Sequence, residues 1–128
     1  MFVAPGEGAG GVKALAADTG GRLGVVETEI PAGHGPPLHV HRQEDEAFYV
    51  LSGTVDVVCG EDRHRAQAGA FVYLPRGVPH TFLGVSDEPS RVLAIVVPGG
   101  LEEAFADSDR FAEVLREHGV EVVGPPIE

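Results

Sequence analysis

The chain has 128 residues, of which 20 are acidic and nine basic, so its formal net charge at neutral pH is −11. A charge of this sign repels phosphate backbones and anionic lipid surfaces, and we therefore expect no nucleic acid or membrane partner. The length suits one hydrophobic core, which predicts a single domain over residues 1–128. The N-terminal residues lack a basic stretch followed by an apolar one, and no run reaches the ~20 apolar residues of a membrane span. We therefore expect a cytoplasmic protein.

Eighteen glycines and ten prolines separate many short apolar runs, a pattern typical of an all-β protein with tight turns. The first element in chain order is a predicted hairpin, with strands at 12–17 and 22–30 and a turn at 18–21. Further strands are predicted at 37–41, 47–51, 54–59, 64–66, 70–74, 80–83 and 91–97.

The last predicted strand is apolar at consecutive positions over residues 92–97, which indicates burial on both faces. We expect a second layer to cover its outer side. A helical region follows at about 101–118, where apolar residues recur at i, i+3 and i+4 spacing. Residues 107–109 either begin a second short helix or pass through one continuous helix, and Gly119 is a good helix stop. The tail from residue 120 is too short to fold by itself.

Four polar residues on the central strands can converge on one point. His39 and His41 lie two residues apart on a predicted strand and so project from the same face. Glu46 has the same parity as Phe48 on the next strand, and His80 begins a later strand after a proline-containing turn that restricts the backbone.

Three imidazoles and one carboxylate form a donor set intermediate between all-thiolate and all-oxygen sites. Such a set suits Fe, Mn, Ni, Cu, Co or Zn, and the ligands alone do not choose among these ions. In six-coordinate geometry two positions would remain free for water, oxygen or substrate, as in a catalytic rather than a closed structural site.

The same residues match two spaced motifs, and here the chain resembles the cupins. The pattern G-x5-H-x-H-x4-E-x6-G is met by Gly33, His39, His41, Glu46 and Gly53. The pattern G-x5-P-x-G-x2-H is met by Gly69, Pro75, Gly77 and His80. The one departure is Gly84, where the family often has Asn. The resemblance covers residues 33–84 closely and implies a double-stranded β-helix, or jelly-roll barrel, with a short C-terminal helical region and one divalent metal ion held by His39, His41, Glu46 and His80.

The resemblance does not specify one activity. The interpretation we favour is a metal-dependent, dioxygenase-like oxidoreductase that acts on a small phenolic or enolisable substrate, with Glu46 as the catalytic proton acceptor by analogy with the family. One alternative is a metal-assisted cyclase or isomerase that uses the ion as a Lewis acid. Another is a non-catalytic module that binds a small ligand. Related barrels commonly pair, so we expect a homodimer.

Other polar residues have two interpretations each. His34 and Arg76 could reach a substrate at the mouth of the site, but exposed loop positions are expected by default. Tyr49 and Tyr73 could face the cavity, although packing against the opposite sheet is the expected role.

The remaining candidates are expected to have structural roles. Glu44 is predicted to be solvated in a charged turn, and His64 and His118 to lie at the surface. Cys59 is predicted to be a small apolar residue at a strand end. Phe48, Phe71 and Phe82 are predicted to line the pocket or fill the core.

Overall fold

A computed structural model describes residues 1–127 and contains ten strands in two five-stranded antiparallel sheets. The strands are β1 (Val12–Ala14), β2 (Gly24–Ile30), β3 (His39–His41), β4 (Asp45–Ser52), β5 (Thr54–Cys59), β6 (Asp62–Gln67), β7 (Phe71–Leu74), β8 (His80–Gly84), β9 (Ser90–Val97) and β10 (Val120–Val122). The first sheet has the order β1-β2-β9-β4-β7 and the second the order β10-β3-β8-β5-β6. This architecture confirms the predicted all-β fold class.

The two sheets enclose one hydrophobic core, because each strand turns alternate residues inward. Phe48 and Val50 of β4 are buried on one side, and Val55 and Val57 of β5 face them from the other sheet. Phe82 packs edge to face on Phe48, with ring centroids 6.0 Å apart. The interior of the barrel between the two sheets is therefore apolar.

Strand β9 lies at the centre of the first sheet, between β2 and β4. Its inward residues Val92 and Val96 are buried, but Leu93 and Ile95 on the outer side are only half-buried. Residues 1–127 of one chain thus leave the outer side of this strand partly exposed, and the covering layer stays a prediction.

The C-terminal helical region consists of short pieces that close one end of the barrel. The α-helices are α1 (Ala16–Thr19), α2 (Glu103–Ala106) and α3 (Phe111–Glu117), and 3₁₀ turns occur at Ala9–Gly11 and Ser108–Arg110. The helical region is interrupted between α2 and α3. There the side chain of Asp107 accepts a hydrogen bond from the Asp109 backbone N–H at 3.2 Å and caps the next turn. Val114 packs with Val96 and Leu101 at this end.

Two elements differ from the predictions. Helix α1 occupies positions where the end of the first predicted strand and the start of the predicted turn were expected. It ends at Gly20, whose φ of 64° favours glycine. Strand β10, which was not predicted, pairs with β3 residue by residue. No helix in the described part of the chain is long and apolar enough to cross a membrane.

Candidate metal centre

Three histidines meet on the inner face of the second sheet. His39 and His41 project from β3 on the same side, and His39 is paired directly with His80 at the start of β8. Paired residues of antiparallel strands turn their side chains to the same face, so the pairing brings all three rings together. Their candidate ligand atoms all lie within 4.8 Å of one another. Three histidines are therefore positioned for metal binding.

The rings are arranged around a common point. The centroids of His39 and His80 are 4.5 Å apart, those of His39 and His41 are 5.1 Å apart, and those of His41 and His80 are 4.9 Å apart. The rings of His41 and His80 are parallel within 3°, whereas His39 stands edge-on to both.

Glu46 approaches the histidines from the first sheet. Its Oε2 lies 3.3 Å from Nε2 of His41 and 3.4 Å from Nε2 of His80. Two atoms that each lie about 2.0–2.2 Å from one metal ion are separated by no more than about 4.4 Å, so these separations allow a shared ion. The carboxylate thus adds an oxygen donor from the opposite wall of the barrel.

The hydrogen bonding of the imidazoles fits a metal site. Nδ1 of His39 donates to the carbonyl oxygen of Pro37 at 2.8 Å, because a carbonyl can only accept. That bond places the proton on Nδ1 and leaves the Nε2 lone pair free for an ion. The ring nitrogens of His41 and His80 are buried and have no hydrogen-bond partner among residues 1–127, since the contacts with Glu46 are not aligned as hydrogen bonds. Unpaired buried polar groups are costly, and a bound ion would satisfy these nitrogens.

Burial favours the uncharged form of His39 and His41. The pKa of His41 is lowered to about 4, mainly because burial penalises the cation and also because His80 and His39 repel it. Burial likewise lowers the pKa of His39. Burial alone would raise the pKa of Glu46, but its interactions with the histidines, His80 first, outweigh that effect and lower it. Neutral imidazoles and an ionised carboxylate are the protonation states that bind metals.

A buried acid–base pair beside the site was not predicted from the sequence. Glu44 is only 1% exposed, and its Oε2 lies 2.5 Å from Nδ1 of His118 at the end of α3. The prediction of a solvated Glu44 is therefore wrong, and His118, predicted at the surface, is half-buried against it. Glu44 shares the parity of Glu46, and that periodicity was the available signal for its inward direction. Burial raises the pKa of the Glu44 carboxyl, and the bond to His118 opposes that rise.

A cavity of about 690 Å³ opens where β6 and β7 form adjacent free edges of the two sheets. Its walls include Val57, Cys59, Val72 and Val78, and none of the four predicted ligands lines it. Cys59 is paired directly with His80, so the two side chains share the inner face of the sheet. The cavity therefore reaches the strand position next to the histidine cluster.

The remaining sequence candidates lie away from the cluster. His34 and His64 are exposed, as predicted. Arg76 is held by Asp45, whose carboxylate accepts a bond from the Arg76 backbone N–H at 2.9 Å. This leaves Arg76 at the surface, paired with a carboxylate.

Three aromatic residues that were predicted to line the pocket or pack in the barrel have partly exposed side chains. Tyr49 and Tyr73 are 44% and 55% exposed, and Phe71 is 66% exposed. All three have odd positions on strands whose even positions face the core. Phe48 and Phe82 pack in the core as predicted, whereas Phe71 and Tyr73 line the cavity between β6 and β7.

Comparison with known proteins places this arrangement in a family. Residues 26–96, which contain all four predicted ligands, match the family model described as Cupin domain. The chain belongs to the cupin family. Among curated relatives of this cupin, quercetin 2,3-dioxygenase of Bacillus subtilis is 24% identical over 95 residues, which are 74% of the chain and 28% of that protein. An uncharacterised Streptomyces coelicolor protein, SCO3923, is 34% identical over 69 residues, or 54% of the chain and 64% of that protein.

Solved structures support the same fold. A cupin protein from Bacteroides fragilis is 26% identical, with a TM-score of 0.61 over 78% of this cupin and 83% of that chain. KdgF from Halomonas sp. is 20% identical, with a TM-score of 0.60 over 72% of this cupin and 83% of that chain. The matched segments span less than two thirds of the curated relatives' own lengths. These likenesses therefore establish the double-stranded β-helix and not an activity.

Proposed function

We propose that this cupin is a metal-dependent enzyme in which His39, His41, Glu46 and His80 hold one divalent transition metal ion. The observation that carries the proposal is the convergence of three largely buried imidazoles and one carboxylate, with four buried ring nitrogens that lack hydrogen-bond partners in the described chain. A structural site would be closed by four protein ligands in a tetrahedron, whereas the same four donors leave positions open on a six-coordinate ion.

The reaction we infer is a dioxygenase-like oxidation of a small phenolic or enolisable molecule. Bound at these residues, the ion would supply Lewis acidity towards a substrate hydroxyl and, if it is redox-active, one-electron chemistry with oxygen. The curated dioxygenase relative supports this choice of reaction class, although only 28% of that protein is matched.

Glu46 is the residue to which we assign proton transfer. Its Oε2 lies between His41 and His80 on the inner wall, and its lowered pKa keeps it ionised near neutral pH. A carboxylate in this state can accept a proton from a substrate hydroxyl that enters the barrel. The hydrogen bond from His39 to Pro37 fixes the orientation of the His39 ring during this proton transfer to Glu46.

The cavity at the seam of the two sheets suits a small substrate. Its volume of about 690 Å³ lies within the usual range for ligand pockets, and its walls are largely apolar. Cys59 lines this cavity and is paired with His80 on the neighbouring strand. A planar molecule in the cavity could therefore extend a hydroxyl past Cys59 towards the cluster. We also infer that the working unit is a homodimer.

Oxygen uptake by purified protein tests the proposed reaction. Metal-free protein would be loaded separately with Fe, Mn, Co, Ni, Cu or Zn and assayed with quercetin and simple enols. We expect substrate-dependent oxygen uptake with at least one redox-active ion. Glu46→Gln should reduce the rate by roughly 10²–10⁴-fold, because the amide cannot accept the proton. Asp45→Asn, one residue away and paired with Arg76 at the surface, should leave the rate unchanged.

Other results would reject the dioxygenase. Turnover without oxygen uptake, supported equally by Zn, would favour the cyclase or isomerase. Saturable binding of quercetin with no turnover for any ion would favour a ligand-binding module. Equal rates for the wild type and Glu46→Gln would contradict the role assigned to Glu46.

A further inference from the structure

One row of paired residues leads from the cavity at the seam of the two sheets to the histidine cluster. The strand register places Asp62 beside Cys59, and Cys59 beside His80. His80 is in turn paired with His39. Residues paired across antiparallel strands turn their side chains to the same face, so all four project into the barrel. We call Asp62, Cys59, His80 and His39 the inner row.

Cys59 stands between the cavity and the buried end of the inner row. Its half-buried side chain lines the cavity, whereas His80 is 1% exposed and does not line it. Both ring nitrogens of His80 lack a hydrogen-bond partner among residues 1–127. Strand β5 is the one strand between β6 and β8, and neighbouring strands lie about 4.8 Å apart. A molecule that moves along this row from the cavity to His80 therefore passes a single side chain.

The surroundings of Cys59 restrict a molecule to the inner row. One row deeper, Val57 is paired with Phe82, and both pack in the hydrophobic core. Val57 is only 2% exposed, so the core fills that side. On the other side the turn between β5 and β6 is joined to the loop before β8, because the Gly60 backbone N–H donates to the carbonyl oxygen of Pro79 at 2.9 Å. The passage therefore lies at Cys59, between the core and this turn.

We propose that Cys59 is the specificity-determining residue of the metal site, and that it admits the narrow, planar end of a substrate. Its side chain has one heavy atom beyond Cβ, one fewer than Val55 and Val57 at the other inward positions of β5. Such an opening suits a phenol or enol whose hydroxyl has no bulky group beside it, while the rest of the molecule stays in the apolar cavity. The inference rests on the proposed function, because it needs an ion at the histidine cluster.

Cobalt-loaded protein tests the passage without turnover, because the visible absorption of bound cobalt changes when a phenol oxygen coordinates the ion. Phenol should change this spectrum. Propofol, which carries an isopropyl group on each side of its hydroxyl, should coordinate at least about 10-fold more weakly. Cobalt uptake is measured first, since failure to bind cobalt would overturn the metal site and this inference together. Bound cobalt with equal affinities for phenol and propofol would overturn the inference alone.

Two variants change the size of the side chain at the passage. Cys59→Leu should weaken the coordination of phenol at least about 10-fold, and Cys59→Ala should reduce the preference for phenol over propofol. Val58→Leu is the matched control, because Val58 lies next to Cys59 on the outer face of β5, where it is paired with Thr81. The control should bind both compounds like the wild type. Unchanged affinities in folded, cobalt-loaded Cys59→Leu and Cys59→Ala would contradict the role assigned to Cys59.

Thiol labelling of the unmodified protein gives a measurement that needs no variant to fold. Cys59 is the one cysteine of the chain, so the added mass reports this position alone. Phenol at ten times its dissociation constant should slow alkylation by iodoacetamide about 10-fold, because only the unoccupied protein reacts. Alkylation at an unchanged rate while phenol is coordinated to cobalt would show that phenol reaches the ion by another path, and it would overturn the proposal.

Discussion

His41 is buried at the centre of the candidate site, and its two ring nitrogens have no hydrogen-bond partner among residues 1–127. Its Nε2 lies 3.3 Å from Oε2 of Glu46, and its ring is parallel to that of His80 within 3°. A neutral histidine in this position is ready for a metal ion, but its protonation on acidification opposes both metal binding and folding. The same residue therefore links metal binding to the pH dependence of stability.

Acidification should destabilise the metal-free protein through His41. The folded-state pKa of about 4 lies below the ordinary value of 6.5, so the unfolded chain binds the proton more readily between these pH values. The stabilisation is complete above about pH 6.5 and is lost as the pH falls through 4. Between pH 7 and 4.5 the wild type should lose about 2 kcal/mol more unfolding free energy than His41→Gln.

Denaturant unfolding with a chelator present, at several pH values, measures this difference. Comparison with His41→Gln removes the contributions of other groups, including the raised pKa of Glu44, which acts in the opposite direction. Parallel pH profiles for the two proteins would show that His41 is not held neutral by burial.

At the scale of single residues, the alternation of side chains along a strand predicted the histidine cluster, but the burial of Glu44 beside it was missed. The two-residue spacing of His39 and His41 predicted a shared face, and the structure brings both to His80. The same parity applied to Glu44 predicts an inward side chain, but a neighbouring run of charges favoured a solvated turn. The partner that makes this burial tolerable, His118, lies 74 positions later, and a long-range pair of this kind has no local sequence signal.

The C-terminal helix and strand support the strand that carries two of the predicted ligands. Strand β10 pairs with β3 at His41, Val40 and His39, and it begins two residues after His118. His118 in turn holds Glu44 in the connection between β3 and β4. The segment from α3 to β10 therefore holds the ligand strand from outside the barrel motif.

Removal of the His118 side chain should destabilise the protein. In His118→Ala the buried Glu44 carboxylate loses its one side-chain hydrogen-bond partner in the described chain, which should cost about 1–3 kcal/mol. His34→Ala, at an exposed loop histidine, should change the free energy of unfolding by less than about 0.5 kcal/mol. Denaturant unfolding at neutral pH measures both. Equal values for the two variants would show that the pair does not contribute to stability.

At the scale of elements, the strongly patterned strands were predictable and the short ones were not. Strands β5 and β9 lie close to their predicted bounds because long apolar or alternating runs specify them. Strand β10 has only three residues, and its pairing with β3 comes from tertiary contacts. Helix α1 also has only four residues, fewer than periodicity can indicate.

At the scale of the whole molecule, the barrel brings the predicted metal ligands of both sheets close together. Glu46 belongs to the first sheet and the three histidines to the second, so a bound ion would join the two layers. The motif spacing predicted that these side chains would converge.

Metal content is the measurement that tests the central claim most directly. Wild type, His80→Ala and the matched control His64→Ala, an exposed histidine on β6, would be purified without added metal and analysed for all six candidate ions. We predict about one ion per chain in the wild type and His64→Ala, and almost none in His80→Ala. Because His80 is buried, the partly exposed His39→Ala serves as a second variant with the same expectation. Equal metal content in folded wild type, His80→Ala and His39→Ala, or none in the wild type even after reconstitution, would contradict the account.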